Sequence, residues 1–100
     1  MEINMKHFVI EITYKIPVEN LGDLLTRHRA HLQVGYDKGL LLYSGPQEPR
    51  IGGIILARSG SIEEIKAFFA LDPYVTNKVA GYRFIEFKPV KHQEFLKDWI

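Results

Sequence analysis

Hydrophobic residues follow two different periods in the first forty positions. Near the start, every second position is apolar, at Phe8, Ile10, Ile12 and Tyr14. This period of two, rich in β-branched residues, predicts a strand that ends before Pro17. Across residues 18–38 the apolar spacing becomes helical, which predicts one long helix. Asn20 and Asp23 are its predicted capping pair, and Gly39 is its predicted stop.

The rest of the chain continues as two strands, a helix and a strand. The segments "LLLYSGP" (40–46) and "GGIILARS" (52–59) are predicted strands separated by turn residues. Ser61 followed by Glu64 predicts a capping box at the start of a helix through "SIEEIKAFFAL". A strand in "GYRFIEFKPV" and a short helix in "KHQEFLKDWI" complete the chain. The order β-α-β-β-α-β predicts a ferredoxin-like α+β sandwich.

The last strand has large apolar groups on both of its sides. Tyr82 and Phe84 alternate there with Ile85 and Phe87. Two helices cover only one face of a four-stranded sheet, so the second apolar face needs another cover. The same face of a second copy would provide it in a homodimer or a higher homo-oligomer. The alternative is that the C-terminal helix folds over that face through Phe95 and Trp99.

Composition narrows the class of protein. The chain has 100 residues, 46% of them hydrophobic and 25% charged, which indicates a single domain spanning residues 1–100. A net charge of +1 without a basic stripe argues against nucleic acid as a partner. No apolar run approaches the roughly 18 residues of a membrane span. The first residues do not resemble a secretory signal, and we expect a cytoplasmic protein.

Two histidines lie on the first predicted helix. At about 100° per residue, His28 falls on the apolar stripe between Leu25 and Leu32, whereas His31 lies at the edge of the stripe. A histidine that faces the sheet needs a hydrogen-bond partner, because it has lost much of its water. A backbone carbonyl would make His28 a structural residue. A carboxylate would instead make it a general acid or base.

Asp72 is the candidate carboxylate, in the segment "FFALDPYVTN". An aspartate before a proline is a good N-cap, and capping alone explains the residue. The two roles are compatible, because a capping carboxylate has a fixed position from which it can orient an imidazole. Both helices of the predicted fold lie on one face of the sheet, which permits the meeting of His28 and Asp72. The pair His28 and His31 lacks a carboxylate at ligand spacing, so we expect no metal site and no cofactor.

The order and spacing of several segments resemble the YCII-related family of small bacterial proteins. The resemblance runs from about Lys6 to Val90 and rests on His28 with Gly39 eleven residues later, on "LLLYSGP", and on "SIEEIKAFFALDPYV". It implies a ferredoxin-like fold that forms dimeric α+β barrels. It also implies an active site centred on a histidine and an aspartate, which fall on His28 and Asp72. Ser44 and Gly45 occupy the family's "SGP" segment near that pocket.

The resemblance also implies a type of chemistry. A few relatives act as dehydrochlorinases of a chlorohydroxyhydroquinone, and the wider superfamily includes lactone isomerases and cofactor-free monooxygenases. We therefore expect a cofactor-free lyase or isomerase that moves a proton on a small aromatic or lactone-like substrate. Tyr74 or Ser44 would position a substrate hydroxyl or carbonyl, and Arg27 or Arg29 would attract an anionic group. The alternative is a non-catalytic small-ligand-binding or accessory protein of the same fold.

Overall fold

Four antiparallel strands form one sheet in the computed structural model, which describes residues 4–100. The elements in chain order are β1 (Lys6–Tyr14), a 3₁₀ turn (Val18–Asn20), α1 (Leu24–Asp37), β2 (Leu41–Pro46), β3 (Gly52–Ser59), α2 (Ile62–Ala70), α3 (Pro73–Thr76), β4 (Ala80–Phe87) and a second 3₁₀ turn (Glu94–Leu96). The strand order is β2-β3-β1-β4. This order confirms the predicted ferredoxin-like α+β fold.

The alternation in β1 sets which face of the sheet is buried. Strand β1 is central and pairs with β3 on one side and β4 on the other, so that Ile10 lies opposite both Ile55 and Phe84. Phe8, Ile10 and Ile12 are almost fully buried on the face that packs against the helices. The apolar sides of α1 and α2 complete one core on this face.

The predicted first helix is broken near its start. Residues Val18–Asn20 form a 3₁₀ turn, and Gly22 then has a positive φ of 57° before α1 begins. A left-handed residue interrupts the helical ladder, so the predicted capping box of Asn20 with Asp23 is wrong. Asp23 precedes α1 without a side-chain capping bond. Gly39 ends the helix as predicted, with a φ of 74° just after the C-cap.

Helix α2 begins at the predicted cap. The Ser61 hydroxyl accepts the backbone N–H of Glu64 at 3.1 Å, and the Glu64 carboxylate accepts the N–H of Gly60. Three apolar side chains of α2 are buried against the sheet: Ile65, Phe68 and Phe69. No helix within residues 4–100 is long and apolar enough to cross a membrane.

The sheet face opposite the helices remains apolar and accessible. Ile85 and Phe87 of β4 are 36% and 41% exposed. The C-terminal segment does not cover this face through Phe95, which is 82% exposed. Trp99 packs against the Arg58 guanidinium at 4.0 Å from its ring centre. Arg58 alternates with the buried Ala57 and Ser59, so Trp99 lies at one end of the accessible face.

Candidate active site

His28 lies on the buried side of α1, as its helical spacing predicts. Its residue surface is only 6% exposed. The imidazole stacks on the Tyr74 ring with centroids 3.9 Å apart and an angle of 6° between the planes. Tyr74 belongs to α3, so this contact joins the two helices that carry the site. The stacking fixes the plane of the imidazole.

Asp72 is fully buried and lies directly beside His28. Its carboxylate accepts a hydrogen bond from Nδ1 of His28, with distances of 2.7 and 3.0 Å to the two oxygens. One oxygen also accepts the backbone N–H of Tyr74 at 3.0 Å, which is the N-cap bond of α3. The other accepts the Tyr82 hydroxyl at 2.6 Å. Asp72 therefore caps α3 and contacts the histidine at the same time.

These hydrogen bonds keep Asp72 ionised. Burial raises the pKa of Asp72, but the bonds from His28 and Tyr82, the charge of His28 and the backbone bond from Tyr74 outweigh it and hold the pKa below its ordinary value. Burial and the Asp72 charge raise the pKa of Tyr82, so Tyr82 stays a hydroxyl donor. An ionised carboxylate only accepts hydrogen bonds, so Nδ1 of His28 must carry a proton. In the neutral imidazole, the lone pair is then on Nε2.

A cavity of about 230 Å³ opens beside the histidine. His28, Arg29, Ser44, Gly45 and Tyr74 lie on its wall. Among residues 4–100, the Tyr74 hydroxyl is the enclosed side-chain polar atom that lacks a hydrogen-bond partner, and Nε2 of His28 is not enclosed. Since Nδ1 is occupied by Asp72, Nε2 is the atom that His28 presents to the cavity. The arrangement is that of a base oriented by a carboxylate.

The other predicted binding residues divide into two groups. Ser44 and Gly45 lie on the wall, and the Ser44 hydroxyl shares a hydrogen bond of 2.7 Å with the hydroxyl of Tyr36. Arg29 also lies on the wall, whereas Arg27 is exposed and lies outside it. The same role was predicted for both arginines from the sequence, and of the two, Arg29 lies on the cavity wall.

His31 has a different environment from His28. Its Nε2 donates to the backbone carbonyl of Phe68 at 2.8 Å, and its ring stacks on that of Phe68 at 4.3 Å. It does not lie on the cavity wall. No group of three or more His, Cys, Asp or Glu side chains within residues 4–100 is arranged to hold a metal ion.

Three further residues of the site were not predicted from the sequence. Tyr82 bonds to Asp72 from β4, and Tyr14 and Arg50 lie on the cavity wall. The alternation in their strands predicts that Tyr14 and Tyr82 face the helices, but it does not predict that they reach the site. Arg50 lies in an irregular turn between β2 and β3, where no periodicity indicates its direction.

Comparison with known proteins places the chain in a family. A profile of the YCII-related domain matches residues 5–88. The chain belongs to the YCII-related family. The resemblance noted in the sequence is thus confirmed. A comparison with curated proteins finds no significant match.

The fold of this YCII-related chain is also similar to a solved structure. That structure is 5-chloro-2-hydroxyhydroquinone dehydrochlorinase (TftG) from Burkholderia phenoliruptrix AC1100, in complex with 2,5-dihydroxybenzoquinone. The TM-score is 0.57 at 20% sequence identity, and the match covers 89% of this chain and 97% of TftG. At this identity the similarity shows a shared fold.

Proposed function

We propose that this protein is a cofactor-independent enzyme in which His28 moves a proton on a small organic molecule and Asp72 orients His28. The observation that supports the proposal is the connection from the buried Asp72 carboxylate through Nδ1 to an Nε2 atom at the cavity. A histidine held in this way has one tautomer and a lone pair that faces a bound molecule. General-base catalysis requires an unprotonated atom within reach of the substrate, and this arrangement provides one.

The reaction is an isomerisation or an elimination of the dehydrochlorinase type. In both, Nε2 of His28 takes a proton from the substrate. In an isomerisation the proton returns to a different atom of the same molecule. In an elimination the substrate loses this proton and a chloride ion, and a new double bond forms. The similarity to TftG supports the elimination and a ring substrate of the hydroquinone type.

Two hydroxyl groups on the wall are suited to position such a substrate. Within the described residues the Tyr74 hydroxyl has no hydrogen-bond partner within 3.5 Å. Ser44 can accept or donate a bond while it remains bonded to Tyr36. Gly45 leaves the wall open beside Ser44, since a Cβ atom there would have no heavy atom within 4 Å. We assign Tyr74 and Ser44 to the substrate oxygens.

Asp72 acts through His28 and is a positioning residue. Asp72→Asn retains a side-chain oxygen for the cap but removes the negative charge. The variant is expected to lower kcat/KM and to lose the single Nδ1-protonated tautomer of the neutral His28 ring, because an amide can either donate to Nδ1 or accept from it. A purely structural role for Asp72 would leave that tautomer and kcat/KM unchanged in a variant that still folds.

A screen of phenols, lactones and hydroquinones, including 5-chloro-2-hydroxyhydroquinone, tests the proposal. The native protein should turn over at least one compound, and His28→Gln should lower kcat/KM by about 100- to 10,000-fold. Circular dichroism of both proteins controls for folding. Equal turnover by the native protein and His28→Gln would contradict the catalytic role. Saturable binding without turnover would favour the alternative, a non-catalytic ligand-binding protein.

We further propose that the accessible sheet face pairs with the same face of a second chain. Ile85 and Phe87 of β4 and Ile54 and Leu56 of β3 lie on that face. Burial of such a patch favours a twofold dimer. Light scattering should give twice the chain mass for the native protein and the monomer mass for Ile85→Lys.

Cytoplasmic localisation is also part of the proposal, and cell fractionation tests it.

A further inference from the structure

Within residues 4–100, the charged side chains on the cavity wall carry one sign. Arg29 and Arg50 lie on the wall, and no aspartate or glutamate from this part of the chain does. The ion pairs formed among residues 4–100 include neither arginine. The Asp72 carboxylate is turned away from the cavity, toward Nδ1 of His28. A molecule that enters the cavity therefore meets positive charge that no described carboxylate on the wall neutralises.

The hydroxyl of Tyr74 is a second, independent indication of a ligand. Tyr74 is 1% exposed and lies on the wall, and its hydroxyl has no hydrogen-bond partner within 3.5 Å among residues 4–100. The Tyr14 hydroxyl is near enough only for a longer interaction, which raises the pKa of Tyr74. Buried polar atoms are nearly always paired, because an unpaired one loses its bonds to water and gains nothing. A bound oxygen atom in the cavity would restore the missing bond.

Arg50 and Tyr74 both lie on the cavity wall, and the charge of Arg50 affects the Tyr74 hydroxyl. Burial raises the pKa of Tyr74, as do Tyr14 and Asp72, whereas the charge of Arg50 lowers it. The guanidinium is thus close enough for its charge to reach the hydroxyl. The net rise means that Tyr74 keeps its proton at neutral pH and acts as a donor.

We propose that the cavity binds a small planar anion, whose charged oxygen lies between the Tyr74 hydroxyl and the Arg50 guanidinium. This inference rests on the proposed function and narrows its substrate class to ring carboxylates and phenolates. Arg29 adds positive charge on the same wall. Both contacts are charge-assisted hydrogen bonds, which are stronger than neutral ones.

The size and lining of the cavity indicate that the uncharged part of the ligand is a single apolar ring. A volume of about 230 Å³ is small for a ligand pocket and accommodates a single ring. Ile12, Leu25 and Leu32 supply apolar wall. Because the Tyr74 and His28 rings are stacked, the oxygen-binding hydroxyl and Nε2 belong to neighbouring side chains. A ring oxygen at Tyr74 therefore brings an adjacent ring position toward His28.

Benzoate and benzamide are a matched pair of probes, since they have nearly the same shape and differ in charge. Isothermal titration of the native protein should show benzoate binding at least about 10-fold tighter than benzamide, the effect of one charge-assisted hydrogen bond. Arg50→Gln and Tyr74→Phe should each weaken benzoate binding by about 10-fold or more and change benzamide binding little. Tyr74→Phe removes only the hydroxyl and keeps the stacked ring.

Two charge controls distinguish a defined subsite from general attraction. Lys38→Gln makes the same change in net charge at an exposed position outside the cavity, and it should leave benzoate binding unchanged. Arg27→Gln should behave like Lys38→Gln. The proposal is overturned by equal binding of the two probes, by no saturable benzoate binding, or by equal losses in Arg27→Gln and Arg50→Gln.

The failure of this inference can be separated from the failure of the catalytic proposal. Turnover that depends on His28, together with equal binding of benzoate and benzamide, would leave the enzyme proposal intact and exclude the anion subsite. Selective benzoate binding that depends on Arg50 and Tyr74, with turnover unaffected by His28→Gln, would support the anion subsite and contradict the catalytic role of His28.

Discussion

His28 and His31 lie one turn apart on the same helix, and each imidazole stacks on an aromatic ring. His28 bonds to a buried carboxylate and presents its other nitrogen to a cavity, whereas His31 bonds to the carbonyl of Phe68 away from the cavity wall. A carbonyl bond satisfies a histidine. An ionised carboxylate also fixes the tautomer and stabilises the imidazolium that forms when the ring takes up a proton.

The largest difference between the two histidines should appear in turnover. His31→Gln can keep a side-chain N–H for the Phe68 carbonyl and should retain kcat/KM within about 3-fold, whereas His28→Gln should lose about 100- to 10,000-fold. Kinetics on any compound that the native protein converts makes the comparison. Similar losses in both variants would show that the two histidines do not differ in role.

Removal of the partner of His28 should have the next largest effect, on stability. Asp72→Ala deletes the carboxylate that accepts hydrogen bonds from His28, from the Tyr82 hydroxyl and from the backbone N–H of Tyr74 at the start of α3. It should lower the free energy of unfolding by about 3–5 kcal/mol, the cost of breaking a buried charged pair. Urea unfolding measures this loss. Asp72→Asn, which keeps an acceptor oxygen, should lose distinctly less, and equal losses would refute the importance of the pair.

Tyr82→Phe should lower the free energy of unfolding by less, because it removes one of the hydrogen bonds to Asp72. The variant keeps the ring and removes a donor to an ionised carboxylate, so we expect a loss of about 1.5–3 kcal/mol in unfolding free energy. Tyr36→Phe removes a hydroxyl that bonds to the neutral Ser44 and is the matched control, with an expected loss of about 1 kcal/mol. A larger loss for Tyr36→Phe would argue against a charged Asp72.

The pH dependence of stability should show two acid windows. The pKa of His7 is lowered by burial and by Arg58, so stability should begin to fall as the pH drops below about 6.5. The pKa of Asp72 is lowered from 3.8, so its contribution is complete above about pH 4 and is lost as the pH falls through the folded-state value. In denaturant titrations, Asp72→Asn should lose less unfolding free energy than the native protein in the lower pH window and the same amount in the upper window. An unchanged lower window would show that Asp72 does not contribute.

Much of the fold follows from the sequence because its determinants are local. The period of two in β1, the Ser61 cap and the Gly39 stop each act within a few residues, and the structure contains all three. The break at Gly22 was not predicted, since the leucines on either side of it keep nearly helical spacing.

The site was predictable only in part. Helical spacing placed His28 on the buried stripe, and the Asp-Pro pair indicated a fixed carboxylate, but no local pattern encodes the 2.7 Å contact between them. Tyr82 and Arg50 reach the site from a strand and a turn whose positions depend on the packed sheet. Both therefore required the structure.

The tautomer of His28 tests the central claim most directly and requires no substrate. Long-range proton–nitrogen NMR spectra of the native protein, assigned with His28→Gln and His31→Gln, separate the two ring nitrogens of each histidine. The arrangement with Asp72 predicts that the neutral His28 ring carries its proton on Nδ1 and has an unprotonated Nε2. His31, which donates from Nε2 to the Phe68 carbonyl, should show the opposite tautomer. A proton on Nε2 of neutral His28 would contradict its role as the base that faces the cavity.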